Sequence, residues 1–355
     1  MRLAEVTAAG TGRRGAGFGN EVMAWGKAYV AAEALGLRLL APRWLLNRYR
    51  VGDQLGIGRG AMLRAELAAR LLRTKELTEA EYRAAGHVDF GDAVVAARDQ
   101  GLLGGARVLV TSGMWGGYAA IARSRPFLRE RVIGTPGARE LAVSATGTAS
   151  VTVGLHVRRG DFGEQAPGPG TFNRPVPTSW FCSVVRSLQE QVPDAAYAVC
   201  TDAGDGELPD LTALPGVSLV RGTGPAAAIQ EIAVLASCDL LVCSVSSFSM
   251  LAAFLSDRPY LWYAPQLTPV DGSLTIWGAE PAQQAAGSPT RQAVLLQDPL
   301  RPRGLAVGAD GHVPLGPDGL STPEAGWDRR RDLLYYGAVP TAGPRSVSTW
   351  GGGAT

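Results

Sequence analysis

The sequence is short of the groups that usually announce a metal or redox site. Three histidines are scattered along 355 residues, the four cysteines Cys182, Cys200, Cys238 and Cys243 form no C-x-x-C pair, and no Asp-x-Asp occurs. Three of those cysteines sit in or beside apolar runs, so they read as small buried hydrophobes, and neither a metal nor another cofactor is expected. Long apolar runs are missing too. Nothing approaches the roughly 18 residues of a membrane span, and the first ten residues lack the apolar core of a secretory signal. The expected compartment is therefore the cytoplasm. Charge of one sign is also scarce: a formal net charge of +2 supplies no overall field for nucleic acid.

What is present describes a globular chain with many turns. Hydrophobic residues make up 46% and charged residues 19%, which excludes disorder, and 46 glycines are about twice the usual share. A length of 355 residues exceeds one ordinary core and suits two domains.

The strongest local signal is Val151-Thr-Val-Gly-Leu-His156-Val-Arg158-Arg159-Gly160-Asp161-Phe162. Val151, Val153 and Leu155 predict a buried strand of an α/β sheet, and ionisable groups arrive together where it ends. In an extended chain His156 and Arg158 share one face while Val157 and Arg159 take the other. Open α/β sheets bind ligands at the carboxyl ends of their strands, where this cluster stands. An internal ion-pair network is the alternative, and Arg159 with Asp161 suits it through the intervening Gly160. Arg158 is the better anion ligand, because its guanidinium fork matches two phosphate oxygens and stays charged at any working pH.

The rest of the chain alternates strands and helices. A weak strand at 3–7 precedes Gly10-Thr-Gly12-Arg-Arg-Gly15, whose helix starts too late for a dinucleotide fingerprint. In Gly17-Phe-Gly19-Asn20-Glu21, Asn20 is placed to cap a helix over 21–35 that Gly36 stops. Then come a strand at 37–40, helical residues from about 54 to 86 with a capping box at Thr78–Glu81, and a strand at 108–110. A glycine-rich segment carrying Trp115 and Tyr118 follows, and residues 135–150 read as a linker. After the charged cluster, residues 163–173 read as a mobile loop able to cover a ligand. A helix then opens at Thr178, and strand 195–200 ends at Thr201-Asp202. Strand 217–220, helix 226–236 and strand 239–243 lead into Ser244-Val-Ser246-Ser247-Phe248-Ser249, a helix at 250–255 and a strand at 259–263. Beyond residue 265 the pattern offers a hairpin turn at 309–312, a helix from 322 to 336 and a frayed tail.

His156/Arg158, Asp202 and Ser246/Ser247 each fall at the carboxyl end of a predicted strand, so a parallel sheet brings them to one edge. Their types suit a nucleoside diphosphate. Arg158 meets the β-phosphate charge, the backbone N–H groups and hydroxyls at Ser246, Ser247 and Ser249 open a helix whose amino end favours anions, and Asp202 accepts from a base edge or ribose. An acidic acceptor suits guanine, which presents N1–H and N2–H₂ donors. A plain Thr-Asp turn and plain N-capping by the serines are the simpler readings.

His-Val-Arg-Arg-Gly-Asp-Phe resembles the His-x-Arg-Arg-Gly-Asp-aromatic motif of the α-1,2-fucosyltransferases and their α-1,6- and protein O-fucosyltransferase relatives. Gly-Phe-Gly19-Asn20-Glu21 is similar to the family's Gly-x-Gly-Asn-Gln, with Glu21 in place of Gln. Thr201-Asp202 resembles its Thr/Ser-Asp, and Ser246-Ser247-Phe248-Ser249 its Ser-Ser-Phe-Ser/Thr, although Met250-Leu251 replaces the usual aromatic pair. Ser112–Tyr118 is loosely similar to its Gly-Tyr-Trp/Phe-Gln. The resemblance implies a GT-B-like α/β fold of two facing Rossmann-like domains, at 1–145 on the acceptor side and 146–340 on the nucleotide-sugar side, with a flexible tail at 341–355. It implies Arg158, His156 and Asn20 as catalytic residues, and Arg158, Asp202, Ser246, Ser247, Phe248, Ser249 and Gly19 around the nucleotide sugar. Glu21, Asp161 and Glu164 are the candidate bases. The expected activity is inverting, metal-independent transfer of L-fucose from GDP-fucose to a glycan or small-molecule hydroxyl. The alternatives are transfer of another hexose from its nucleotide, or nucleotide-sugar binding without turnover.

Overall fold

The computed structural model describes residues 3–6, 17–86, 89–113, 117–147, 149–160, 162, 174–256, 258, 260–266, 268–270, 273–275 and 304–313. The first half builds one parallel sheet. Its strands are β1 (Leu3–Val6), β2 (Arg38–Leu39), β3 (Thr74–Glu76) and β4 (Val108–Thr111), in the order β2-β1-β4-β3. Helices α1 (Phe18–Leu35), α2 (Val51–Gln54), α3 (Arg59–Leu71), α4 (Glu79–Ala84), α5 (Phe90–Asp99), α6 (Arg125–Leu128) and α7 (Pro136–Thr146) accompany it. The second half contributes β5 (Thr152–Val157), β6 (Ala196–Thr201), β7 (Val217–Leu219), β8 (Leu240–Cys243) and β9 (Tyr260–Tyr263). A small antiparallel pair, β10 (Thr268–Val270) and β11 (Ser273–Thr275), precedes β12 (Gly304–Val307). Its helices are α8 (Thr178–Gln191), α9 (Pro209–Thr212), α10 (Ala227–Ser237) and α11 (Ser247–Leu255).

The second sheet is parallel throughout, in the order β12-β9-β8-β5-β6-β7. The chain leaves β5 toward β6 and β7 on one side, then returns to lay β8, β9 and β12 on the other. That reversal puts a topological switch point between β5 and β8, where such sheets bind ligands at their carboxyl ends. Strands β5 and β8 are buried at every position, as expected of a sheet covered on both faces. Val151, Val153, Leu155 and Val157 pack on the α8 side, while Gly154 faces α10, where a Cβ would crowd Leu235 and Cys238.

The two halves share one core. Phe18, Val22 and Trp25 of α1 belong to the same buried cluster as Ile232 and Leu235 of α10 and Met250 and Leu251 of α11. Tyr118 stacks on Phe254 with ring centroids 4.4 Å apart. The guanidinium of Arg125 donates to the Ser256 carbonyl, and that of Arg129 to the Leu255 carbonyl at 2.6 Å.

Several expectations change. Helix α1 starts three residues earlier than its apolar spacing suggests, with Gly17 at the N-cap, so Asn20 is its third residue and not its cap. Gly36 stops the helix in the left-handed region, φ 62°, as expected. The capping box is present: the Thr78 N–H donates to Glu81 Oε2 and the Glu81 N–H to Thr78 Oγ1. Residues 74–76 form an edge strand inside the stretch read as helical. The supposed linker contains α7, which opens on Pro136 and packs on α10; its alanines, threonines and glycines disguise it. β12, absent from the sequence reading, completes the second sheet, and Trp180 Nε1 fixes the following turn by donating to the Gly308 carbonyl at 2.9 Å. The turn at 309–310 is there, but it follows a parallel strand, and residues 314–355, with the expected last helix and tail, lie outside the described residues. All four cysteines are free and buried.

Candidate active site

Strand β5 delivers His156 and Arg158 to opposite fates. His156 is buried, with its ring stacked on Phe248 at 4.8 Å and Nδ1 2.6 Å from Ser249 Oγ. Burial, with the Arg158 cation as a smaller contribution, pushes its pKa down to about 3. The imidazole is therefore neutral near pH 7. Ser249 has no exposed surface, so this pair knits β5 to α11, and direct phosphate contact by Ser249 is replaced by an internal role.

Arg158 instead reaches the rim of the sheet. Its Nη1 lies 2.7 Å from Asp202 Oδ2, and its guanidinium sits 5.5 Å from the centre of the Phe162 ring. The other oxygen of Asp202 accepts the Arg159 N–H at 2.7 Å. Gly160 lets the turn pass this close, because a Cβ there would fall on the Asp202 carboxylate. Arg159 points to the other face, as strand parity requires, donating to Thr178 Oγ1 at 2.6 Å and to the Arg158 carbonyl at 2.9 Å. Burial lowers its pKa, opposed by Asp202 and Glu207. Its expected partner Asp161, with Glu164, lies outside the described residues, as does the loop expected over the ligand.

The serines divide in the same way. Ser246 caps α11 by accepting the Ser249 N–H at 3.3 Å, and it is buried. Ser247 and Phe248 keep accessible surface. They are the first two residues of the helix, whose N–H groups have no intrahelical acceptor. Ser244, which the sequence reading passed over, holds the β5–β8 junction. Its hydroxyl donates to the His156 carbonyl at 2.8 Å and accepts the Arg158 N–H at 3.0 Å. Its position directly after β8 was the available signal. Arg221 was also missed, because it follows a three-residue strand; it donates to the carbonyls of Thr201 and Ala203 and shapes the loop behind Asp202.

The first half meets this edge through the start of α1. Gly19 is buried, and a Cβ there would overlap the Ser247 carbonyl, so the glycine is what lets α1 approach the start of α11 this closely. Next to it, Asn20 Oδ1 is buried without a hydrogen-bond partner. Such an orphaned acceptor is costly unless a ligand donor satisfies it. Glu21 has no exposed surface; Trp44 Nε1 donates to one oxygen at 2.8 Å and Asn47 Nδ2 to the other at 3.0 Å. The structure thus reassigns Glu21 from candidate base to anchor of the 44–47 turn. Tyr118 is fully buried against Phe254 and offers no sugar platform, while Trp115 and the glycines at 10, 12 and 15 lie outside the described residues. Among the described residues no His, Cys, Asp or Glu cluster could hold a metal ion.

Residues 109–270, which span β4 to β10 and hold Arg158, Asp202 and the Ser246–Ser249 helix start, match the model of glycosyl transferase family 11. That match spans less than half of the chain and marks a similarity to this family over those residues. The chain brings two parallel α/β halves together at the starts of α1 and α11, the layout expected of a GT-B-like fold. It is similar to the fucosyltransferase NodZ from Bradyrhizobium, at 15% identity over 77% of this chain and 97% of that chain, with a TM-score of 0.48. It is also similar to POFUT1 in complex with GDP, at 14% identity over 73% of this chain and 97% of that one, with a TM-score of 0.45. No curated protein matches the sequence.

Proposed function

We propose that this protein is a glycosyltransferase that moves L-fucose from GDP-fucose to a hydroxyl of a glycan or small-molecule acceptor, with inversion and without a metal ion. The observation that carries the reading is the meeting of Arg158, Asp202 and the start of α11 at one switch point, with Gly19 against the Ser247 carbonyl and the orphaned oxygen of Asn20 on the next residue. The second half takes the donor and the first half the acceptor.

In this reading the diphosphate lies between Arg158 and the start of α11. The bond between the anomeric carbon and the β-phosphate oxygen breaks with its electron pair going to GDP, so negative charge grows where a guanidinium and a helix amino end are already aimed. Asp202 holds the guanidinium in place and keeps lone pairs for guanine or ribose donors. Asn20 accepts from a sugar hydroxyl. The acceptor oxygen bonds the anomeric carbon from the opposite face and loses its proton to a base, for which Asp161 and Glu164 remain the candidates. His156, neutral and internally bonded, positions the strand end and the helix start without carrying charge.

The test is turnover in EDTA with GDP-, UDP- and dTDP-sugars, following nucleotide release and the anomeric NMR signal of the product. GDP release from GDP-fucose with an anomer opposite to the donor's is the expected result. Turnover of only a uridine or thymidine donor would remove fucose from the assignment, and nucleotide binding with no transfer to any acceptor pool would favour a binding protein.

A further inference from the structure

Away from the cleft, α3 presents an apolar stripe that nothing in the described fold covers. Leu63, Leu67 and Leu71 recur every fourth residue and are 47%, 45% and 79% exposed, on the side opposite the buried Met62 and Ala65. At 100° per residue the stripe is flanked by Arg64 on one side and by Arg59 and Arg70 on the other. The turn before α2 lies alongside, because Arg43 bonds Glu66 at 2.6 Å and Gly52 packs on Met62, and it adds Leu46, 64% exposed, and Tyr49 under Arg48. Residues 38–73 hold eight arginines against two carboxylates, Asp53 and Glu66, although the whole chain carries only +2. Those two carboxylates already pair with Arg43, Arg50, Arg59 and Arg70, and among the described residues Arg64 and Arg73 have no acidic partner.

We propose that this face docks on an anionic lipid surface. Leucines would enter the boundary between headgroups and acyl chains while the flanking guanidinium groups meet lipid phosphates, the arrangement of an interfacial amphipathic helix. No helix among the described residues is long and apolar enough to cross a membrane, so the contact is a surface one. The proposal does not depend on the donor assignment.

Flotation of the full chain with phosphatidylcholine vesicles, with and without phosphatidylglycerol, tests it. Association with the anionic vesicles only, weakening as salt rises, is expected. Leu67→Glu/Leu71→Glu should abolish it, and Arg64→Gln should weaken it about fivefold, one cation's share near such a surface. Melting temperature and nucleotide-sugar turnover of both variants should stay at wild-type values. Equal binding to neutral and anionic vesicles, no binding to either, or wild-type binding by the leucine variant would each overturn the proposal. A dimer in sedimentation that the leucine variant disrupts, without vesicle binding, would give the face to a second copy and overturn it as well.

Discussion

At the residue scale, the proposed function divides the charged cluster into Arg158, which would meet the ligand, and groups that hold it in place. Arg158→Ala should lower turnover about 10²–10³-fold, the usual cost of removing one preorganised donor. Because its pair with Asp202 is partly exposed, stability should fall by less than about 1 kcal/mol. Steady-state rates and a melt on the same variant check both. His156 predicts a pH effect of definite sign. Its folded pKa, about 3, lies below the ordinary 6.5. Above pH 6.5 neither state binds the proton; as pH falls below it, the unfolded chain takes one that the folded chain refuses, and the native state loses up to about 1.4 kcal/mol per pH unit. In urea melts at pH 7, 6 and 5, a His156→Asn variant should lack this share of the slope, so its deficit relative to wild type shrinks as pH falls. A constant deficit would contradict the buried neutral imidazole. Strand parity made the His156–Arg158 and Val157–Arg159 split readable in the sequence. The pairing of Arg158 with Asp202 was not, because it depends on β5 and β6 being neighbours in register, His156 opposite Cys200.

At the element scale, the start of α1 joins the halves. Gly19→Ala places a methyl against the Ser247 carbonyl, which cannot be relieved by turning a side chain. The expected cost is about 1–3 kcal/mol, with transfer reduced further because Asn20 moves off the cleft. Gly58→Ala, where a Cβ meets nothing within 4 Å, is the control. Equal melting temperatures and rates for the two variants would contradict the tight junction. The motif Gly-Phe-Gly-Asn was visible in the sequence, but spacing alone assigned its asparagine to capping, since an N-cap and a third helical residue differ only in where the backbone turns. The α7 and β12 errors have a common cause: small or turn-prone residues give weak periodicity, and tertiary packing on α10 and β9 supplies the missing stability.

At the scale of the whole molecule, alternating strands and helices predicted a parallel second sheet, and the fold places β8, β5 and β6 side by side with their chemical residues on one edge. The sequence could not supply the strand order, because the switch point arises from the chain crossing back over β5 after β7. Nor did it show that one apolar cluster runs through both halves and fixes α1 against α11. The central claim, a guanosine diphosphate site at that switch point, is tested most directly by thermal melts with GDP, UDP and dTDP in EDTA. At a hundred times its dissociation constant a ligand should stabilise the fold by about 2.7 kcal/mol. The account predicts such a shift with GDP, surviving EDTA and reduced in Asp202→Ala; a shift only with UDP or dTDP, or with none of the three, would contradict it.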